Sequence, residues 1–393
     1  MRMNEKAKFA ACLGAGVAVV GGAWFAAKLP FSGPYPVWFV LAALSLATLA
    51  HTFEVSRRNL QRTAGVVLLL VGLLVVLGRS NDAAFAEGSV LSILNRHGEL
   101  GLVTLGAGLL ILTGGIDLSV GSLVALSAVS FGLLAEQGFP PILCAVIVVL
   151  GGIVLGIGHG LLVTQLGLQA FLVTLCGMFV YRGVARSIQP GQIGRGSVKN
   201  ELTKTVDADA GASFEAQFLD LRYWLTGQNA DERLVFPGLL VVFLLLAAVA
   251  AVFLHRSSFG RYWYAIGNNE QAAKYAGVTV WKHKVSVFAI CSGLAALAGV
   301  VRFLGAGSVT PSVEGDSYEL YAITAAVLGG VSLRGGEGTA VGLVFGALVL
   351  PVVKPVMNFT KTPSEWEPWL IGLILLGGAV VDETIRRRGK RAG

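Results

Sequence analysis

Charge is scarce in this sequence. Of its 393 residues only 13% are Asp, Glu, Lys or Arg, against 54% hydrophobic. Soluble domains carry roughly a quarter charged residues, and half that amount does not cover a water-soluble body of this size. Histidine is scarce as well. His51, His97, His159, His255 and His283 are scattered, and only His159 falls inside an apolar run. That argues against an intramembrane enzyme, which needs a paired-acid, His-rich or Ser/Lys cluster facing one cavity; His159 reads as a packed, hydrogen-bonded residue. The four cysteines, Cys12, Cys144, Cys176 and Cys291, lie far apart in apolar runs with no CxxC pair. They read as small buried hydrophobes rather than metal ligands or disulfide partners. No catalytic, metal or cofactor-binding residue is expected. A GxxxxGK[ST] phosphate loop is missing too, and the glycine-rich stretch 334–338 lacks the Lys that would reach a nucleotide's phosphates. If the protein is ATP-driven, another polypeptide must bind the ATP. Strand-like alternation is absent, which excludes a membrane barrel. The net charge of +7 comes without an Arg-rich stripe interleaved with aromatics, so no nucleic-acid partner is expected.

What the chain has is long apolar runs. About twelve can be marked, near 9–27, 36–53, 63–78, 100–114, 119–135, 141–165, 167–186, 234–254, 285–304, 319–333, 338–357 and 369–382. A bilayer crossing takes roughly 17–25 residues, so most fit a span and the short ones read as half-helices. The 52 glycines suit helices that approach closely in lipid. The fold class expected is all-α, a polytopic transmembrane helical bundle of about 12 spans. Basic residues collect on the cytoplasmic side of membrane proteins. Arg2, Lys6 and Lys8 place the N-terminus inside, and Arg57, Arg58 and Arg62 place the next charged loop inside. Residues 255–284 carry Arg256, Arg261, Lys274, Lys282 and Lys284 against Glu270, and the tail holds Arg386, Arg387, Arg388, Lys390 and Arg391. Both termini are therefore expected in the cytoplasm, which twelve crossings satisfy. The basic start followed by the 9–27 run is read as a retained first helix rather than a cleaved signal peptide. The hydrophilic stretch 189–233 falls outside and the stretch 255–284 inside.

Two Gly-Gly stretches, LTGGIDLSVG at 112–121 and VLGGVSLRGG at 327–336, each follow one apolar segment and precede another. They read as an internal repeat with interrupted helices in matching positions. Gly114, Gly115, Gly121, Gly329 and Gly330 would permit helix breaks or close contact in a transport pathway, or serve plain packing. Asp117 is the most notable acid. Asp117 or Ser119 can cap the helix that follows, a reading preferred over direct substrate or proton chemistry. Arg182, Arg302, Asp316, Glu319 and Lys354 sit near segment ends, and no buried charged relay for ion coupling can be assembled from these residues. In the basic stretch, GNNEQAAKYAG at 267–277 reads as one short helix. Asn268 or Asn269 caps its start, Ala272 and Ala273 favour it, and Gly277 stops it. It is too short and polar to span, which suits docking against a partner as well as an ordinary solvated loop.

At these residues the chain resembles the permeases of the ribose/xylose type of bacterial ABC importers. The likeness rests on LTGGIDLSVGS at 112–122, YAIGNNEQAAKYAGV at 264–278, LYAITAAVLGGVSLRGGEG at 320–338 and, more weakly, AFLVTLCGMFVYRGVAR at 170–186. It covers residues 63–393. The resemblance implies a dimer of two permease chains, alike or different, in the bacterial inner membrane. It also implies a cytoplasmic ATP-binding subunit that hydrolyses the ATP and a periplasmic solute-binding protein. Asn268, Asn269, Glu270, Ala272, Ala273 and Gly277 then become the region that couples to the ATPase. Residues 189–233 and 305–318 become candidate contacts with the binding protein. The solute implied is a monosaccharide, pentose or hexose, with autoinducer-type furanoses, polyols and nucleosides as alternatives. An ion-coupled secondary transporter is the alternative of another class. Family members have about ten helices, so residues 1–62 would be two additional N-terminal helices. Tyr318 and Tyr321 stand where relatives often carry smaller or acidic residues.

Overall fold

The structure, a computed structural model, describes residues 87–377 apart from 197, 199–207, 230 and 232, together with 66, 69, 70, 72, 73 and 380. The expected N-terminal helices of 1–62, most of the 63–78 span, and both termini lie outside the described residues.

The described chain is a helical bundle. Its elements in order are α1 (Glu87–Leu112), α2 (Val120–Glu136), α3 (Pro141–Gln165), α4 (Ala170–Ile188), β1 (Ile193–Gly194) and α5 (Ala208–Thr226). Then follow α6 (Gly238–Arg256), α7 (Ser258–Asn268), α8 (Glu270–Tyr275), α9 (Val280–Ala306), β2 (Ser308–Val309), α10 (Tyr318–Leu328), α11 (Ala340–Phe359) and α12 (Glu367–Gly377). Among them α3, α4, α6, α9 and α11 are long and apolar enough to cross a membrane, and α2, α10 and α12 are shorter apolar helices. Ile142, Val154, Phe179, Val180 and Val249 stay exposed along α3, α4 and α6, as lipid-facing side chains do. This is a multi-pass membrane protein.

At its centre α9 packs against α3, α2 and α1. Its middle is Cys291, Ser292, Gly293, Ala295, Ala296, Ala298 and Gly299, all buried. Small side chains let neighbouring backbones approach, which is how helices gain contact in lipid. The α1 helix begins thirteen residues before the expected 100–114 segment. The added part carries Asn95, Arg96 and Glu99, and polarity hid it from a reading based on apolar runs. Asn95 is buried and its Oδ1 accepts the backbone N–H of Leu239 at 3.0 Å. That satisfies one of the donors a helix leaves open in its first turn.

At one end of the bundle the expected external loop is partly structured. β1 pairs antiparallel with β2 (Ile193 with Val309, Gly194 with Ser308). Arg195 forms an ion pair with Glu215 of α5. Phe214 and Phe218 of α5 bury against Phe303 and Leu304. The described parts of 189–233 and 305–318 are thus stitched into one surface. The opposite end is built by α7 and α8.

Candidate functional site

The α7–α8 end gathers three stretches that are far apart in sequence. The first is the α1–α2 break. Thr113 N and Gly115 N both bond the carbonyl of Leu110, at 3.0 and 3.2 Å, and Gly114 turns the chain at φ 80°. The second is the α10–α11 break. Gly330 N bonds Val327 O at 2.9 Å, Val331 N bonds Ala326 O at 3.0 Å, and Gly330 sits at φ 83°. Gly carries such φ values without the cost a Cβ brings. Both breaks are helix, Gly-Gly, turn, helix, yet the left-handed glycine is the first of one pair and the second of the other. The expected 319–333 segment thus ends as helix at Leu328, followed by this turn.

The two breaks touch. Gly336 N donates to Leu112 O at 2.8 Å, capping a terminal carbonyl of α1. Against this junction lies α7, which the apolar-run reading did not find. Ser257 Oγ accepts from Gly260 N at 3.1 Å to start it, and Gly260, Trp263 and Ile266 are its buried stripe. Tyr264 OH donates to Gly338 O at 2.8 Å. Burial pushes this phenol up to about 12, so it stays a neutral donor. Asn268 Nδ2 donates to Gly336 O at 3.3 Å and Tyr264 O at 3.0 Å. Gly267 is wedged between the hairpins: a Cβ there would collide with Leu112 O and Gly336 N.

The stretch 267–277 is two helices' worth of structure rather than one, because Asn269 is extended (φ −161°) and splits it. Of the two asparagines, Asn269 caps α8, its Oδ1 accepting Ala272 N at 3.0 Å. Gly277, at φ 85°, follows the helix, with Gly277 N on Lys274 O and Val278 N on Ala273 O. Ala273 is buried, whereas Glu270, Ala272 and Lys274 face out and Tyr275 is 88% exposed. Glu270 pairs with Lys284 of α9 at 2.6 Å.

Asp117 and Ser119 lie deeper. Asp117 is buried, and its Oδ1 accepts both Ser119 N at 2.7 Å and Ser119 Oγ at 2.6 Å. Asp117 is the acceptor that holds the turn, while Ser119 occupies the N-cap position of α2 without a side-chain cap bond. Oδ2 of Asp117 faces His159 Nδ1 at 4.0 Å, and His159 Nε2 bonds Tyr181 OH at 2.8 Å. Gly121 backs onto Gly315 and Glu319 at the start of α10, and Gly329 onto Gly342 of α11. A second polar cluster joins Arg302 to Glu314 at 2.6 Å and to Glu99 at 3.6 Å, with Tyr318 OH donating to Glu99 at 2.7 Å. Arg182 holds the carbonyls of Pro311 and Glu314. Glu99, Glu314, Tyr181 and Tyr275 were not singled out from the sequence. No metal-holding group of His, Cys, Asp or Glu occurs among the described residues.

Residues 89–378 match the model of a family described as branched-chain amino acid transport system / permease component. The chain is 35% identical to the fructose import permease protein FrcC of Rhizobium meliloti, over 82% of this chain and 84% of that relative. It is 30% identical to the fructose import permease protein FruG of Bifidobacterium longum, over 86% and 94%. It is 31% identical to the autoinducer 2 import system permease protein LsrC of Salmonella typhi, over 83% and 86%. No solved structure matches.

Proposed function

The chain belongs to the family described as branched-chain amino acid transport system / permease component, and from that premise we propose that it is the transmembrane permease subunit of an ATP-driven monosaccharide importer. The sugar assignment is supported by the relatives, which are named for fructose and autoinducer 2 import. These are transport proteins, and the permease is not itself an enzyme. A separate cytoplasmic subunit binds and hydrolyses ATP, a periplasmic binding protein delivers the solute, and a second permease chain completes the pathway. The charge pattern supports twelve spans, with residues 1–62 as two additional helices before the core at 63–393. It also supports both termini in the cytoplasm and the bacterial inner membrane as the site. The α7–α8 end then faces the cytoplasm, and the β1–β2–α5 end faces the binding protein.

The observation that carries this reading is the wedge of α7 between the two breaks. A push on α8 reaches Leu112 and Gly336 together through Gly267, Asn268 and Tyr264. Both interrupted helices are displaced by one movement, as alternating access requires of discontinuous helices. The docking face is Glu270, Ala272, Lys274 and Tyr275. An exposed aromatic is the kind of side chain that anchors an interface, where truncation commonly costs about 2 kcal/mol or more. Tyr275→Ala is therefore expected to cut ATP-driven uptake about tenfold or more, and Glu270→Lys to lower it severalfold, with the chain still in the membrane. Uptake and ATPase stimulation in proteoliposomes measure this; retention of both in the two variants removes α8 as the docking element. Ala273 is buried, so bulk there tests the seating of α8 and not the partner contact.

A further inference from the structure

A cavity of about 110 Å³ opens among α1, α10, α11 and α12, lined by Arg96, Glu99, Tyr318, Tyr321, Lys354 and Glu367 over an apolar floor that includes Leu100 and Leu350. At about 10–15 Å³ per water, it has room for several waters, the bulk of one small solute. Glu99 is thirteen residues above the α1 break at Leu112, about 20 Å at 1.5 Å per residue. The cavity thus lies toward the end of the bundle away from the junction held by α7, half open beside the exposed Arg96 and Lys354 and next to Glu367, the first residue of α12.

The lining is polar in a particular way. Two cations and two anions balance, and among the described residues all but Arg96 are engaged: Lys354 Nζ is 3.3 Å from Glu367 Oε2, and Glu99 accepts from Tyr318 and faces Arg302. Such a site has no net charge to hold an ion. Paired carboxylates still keep lone pairs, and guanidinium and ammonium groups keep N–H donors. A hydroxyl both donates and accepts, so a polyhydroxylated ring can use both kinds without breaking the pairs. The rings of Tyr318 and Tyr321 stand 6.4 Å apart, tilted by 46°, and give an aromatic wall for the C–H face of a sugar. One further acceptor comes from the chain itself. Pro355 lies inside α11 and has no N–H for the carbonyl of Pro351, which lines the cavity. Ligand sites combine an apolar body with a few placed polar groups in this manner.

The geometry points to this cavity as the site that holds the solute in transit, a neutral polyhydroxylated ring, with Tyr321, Lys354 and Glu367 as specificity-determining residues. The assignment rests on the permease reading above. The test uses the assembled importer, with its ATPase and binding protein, in proteoliposomes enclosing ATP, with radiolabelled fructose, ribose, xylose or leucine supplied outside as probes. In wild type, ATP-dependent uptake of at least one sugar and not of leucine is expected. Tyr321→Ala and Lys354→Gln should lower sugar imported per ATP hydrolysed by about tenfold, and Tyr321→Phe should restore most of it by keeping the ring. A wild-type complex that imports none of the four probes sinks the permease reading itself. Import of leucine in their place overturns the assignment of a neutral ring. Sugar imported per ATP that stays normal in both variants, with wild type active, overturns the cavity alone.

Discussion

Gly267→Ala is expected to reduce ATP-driven uptake at least tenfold without removing the protein from the membrane. The added methyl has nowhere to go: its neighbours are the carbonyl oxygen of Leu112 and the amide nitrogen of Gly336, backbone atoms on two different hairpins. A flexible side chain could rotate away, but these atoms are held by the 2.8 Å hydrogen bond between them. Either that bond parts or α7 lifts off the junction. Overpacking of this kind costs about 1–3 kcal/mol, and 1.36 kcal/mol is a tenfold change in rate. Gly277→Ala is the control. Gly277 has open space around it and a left-handed φ of 85°, so an Ala there strains the end of α8 and leaves the junction in contact. Its effect should be the smaller. Uptake and ATPase rates in proteoliposomes give the comparison, and near-normal coupling in Gly267→Ala would mean that α7 does not transmit through the two breaks.

Asp117→Ala is expected to lower the thermal unfolding midpoint in detergent by about 2 °C or more, and Asp117→Asn to keep most of it. The alanine leaves Ser119 N and Ser119 Oγ without the acceptor they share, deep in a bundle where water does not replace it. A buried donor left unmade costs about 1–3 kcal/mol, and at about 2.1 cal/mol/K of unfolding entropy per residue 1 kcal/mol shifts the midpoint of a chain this long by about 1 °C, so two such donors amount to a few degrees. Asparagine keeps an oxygen where Oδ1 stands and gives up only the charge facing His159. Uptake should follow the same order, with the asparagine variant transporting and the alanine variant nearly silent. If both variants keep the midpoint and both lose uptake, Asp117 acts on the solute or a proton and not on the turn.

The sequence made the peripheral helices legible and the junctions illegible. Residues 141–165 were delimited to the residue because α3 is apolar on nearly every face. The start of α1 was lost because Asn95, Arg96 and Glu99 face protein partners and a cavity, and polarity in a run of letters looks like a loop. The α7 helix was lost because eleven residues with a narrow buried stripe make neither a span nor a long amphipathic pattern. The candidate site was legible as parts. The two Gly-Gly breaks and an asparagine cap at 268 or 269 were visible from local chemistry, since Gly and Asn act on their own neighbours. Nothing local joins residue 112 to 336, or 117 to 159 and 181. Those meetings come from packing around α9, whose small residues draw the other helices in. The apparent shortage of buried charge had the same cause: Glu99, Arg302, Glu314 and Tyr318 assemble only in three dimensions.

Buried polar clusters of this kind are what an ion-coupled carrier uses. The direct test of an ATP-driven permease is therefore uptake of a labelled sugar into proteoliposomes under two regimes. With the ATPase subunit, binding protein and ATP present, uptake should proceed and should stop when ATP hydrolysis is blocked. With this chain alone and a proton or sodium gradient imposed, no uptake above empty liposomes is expected. Gradient-driven accumulation by the chain alone would contradict the account at its centre.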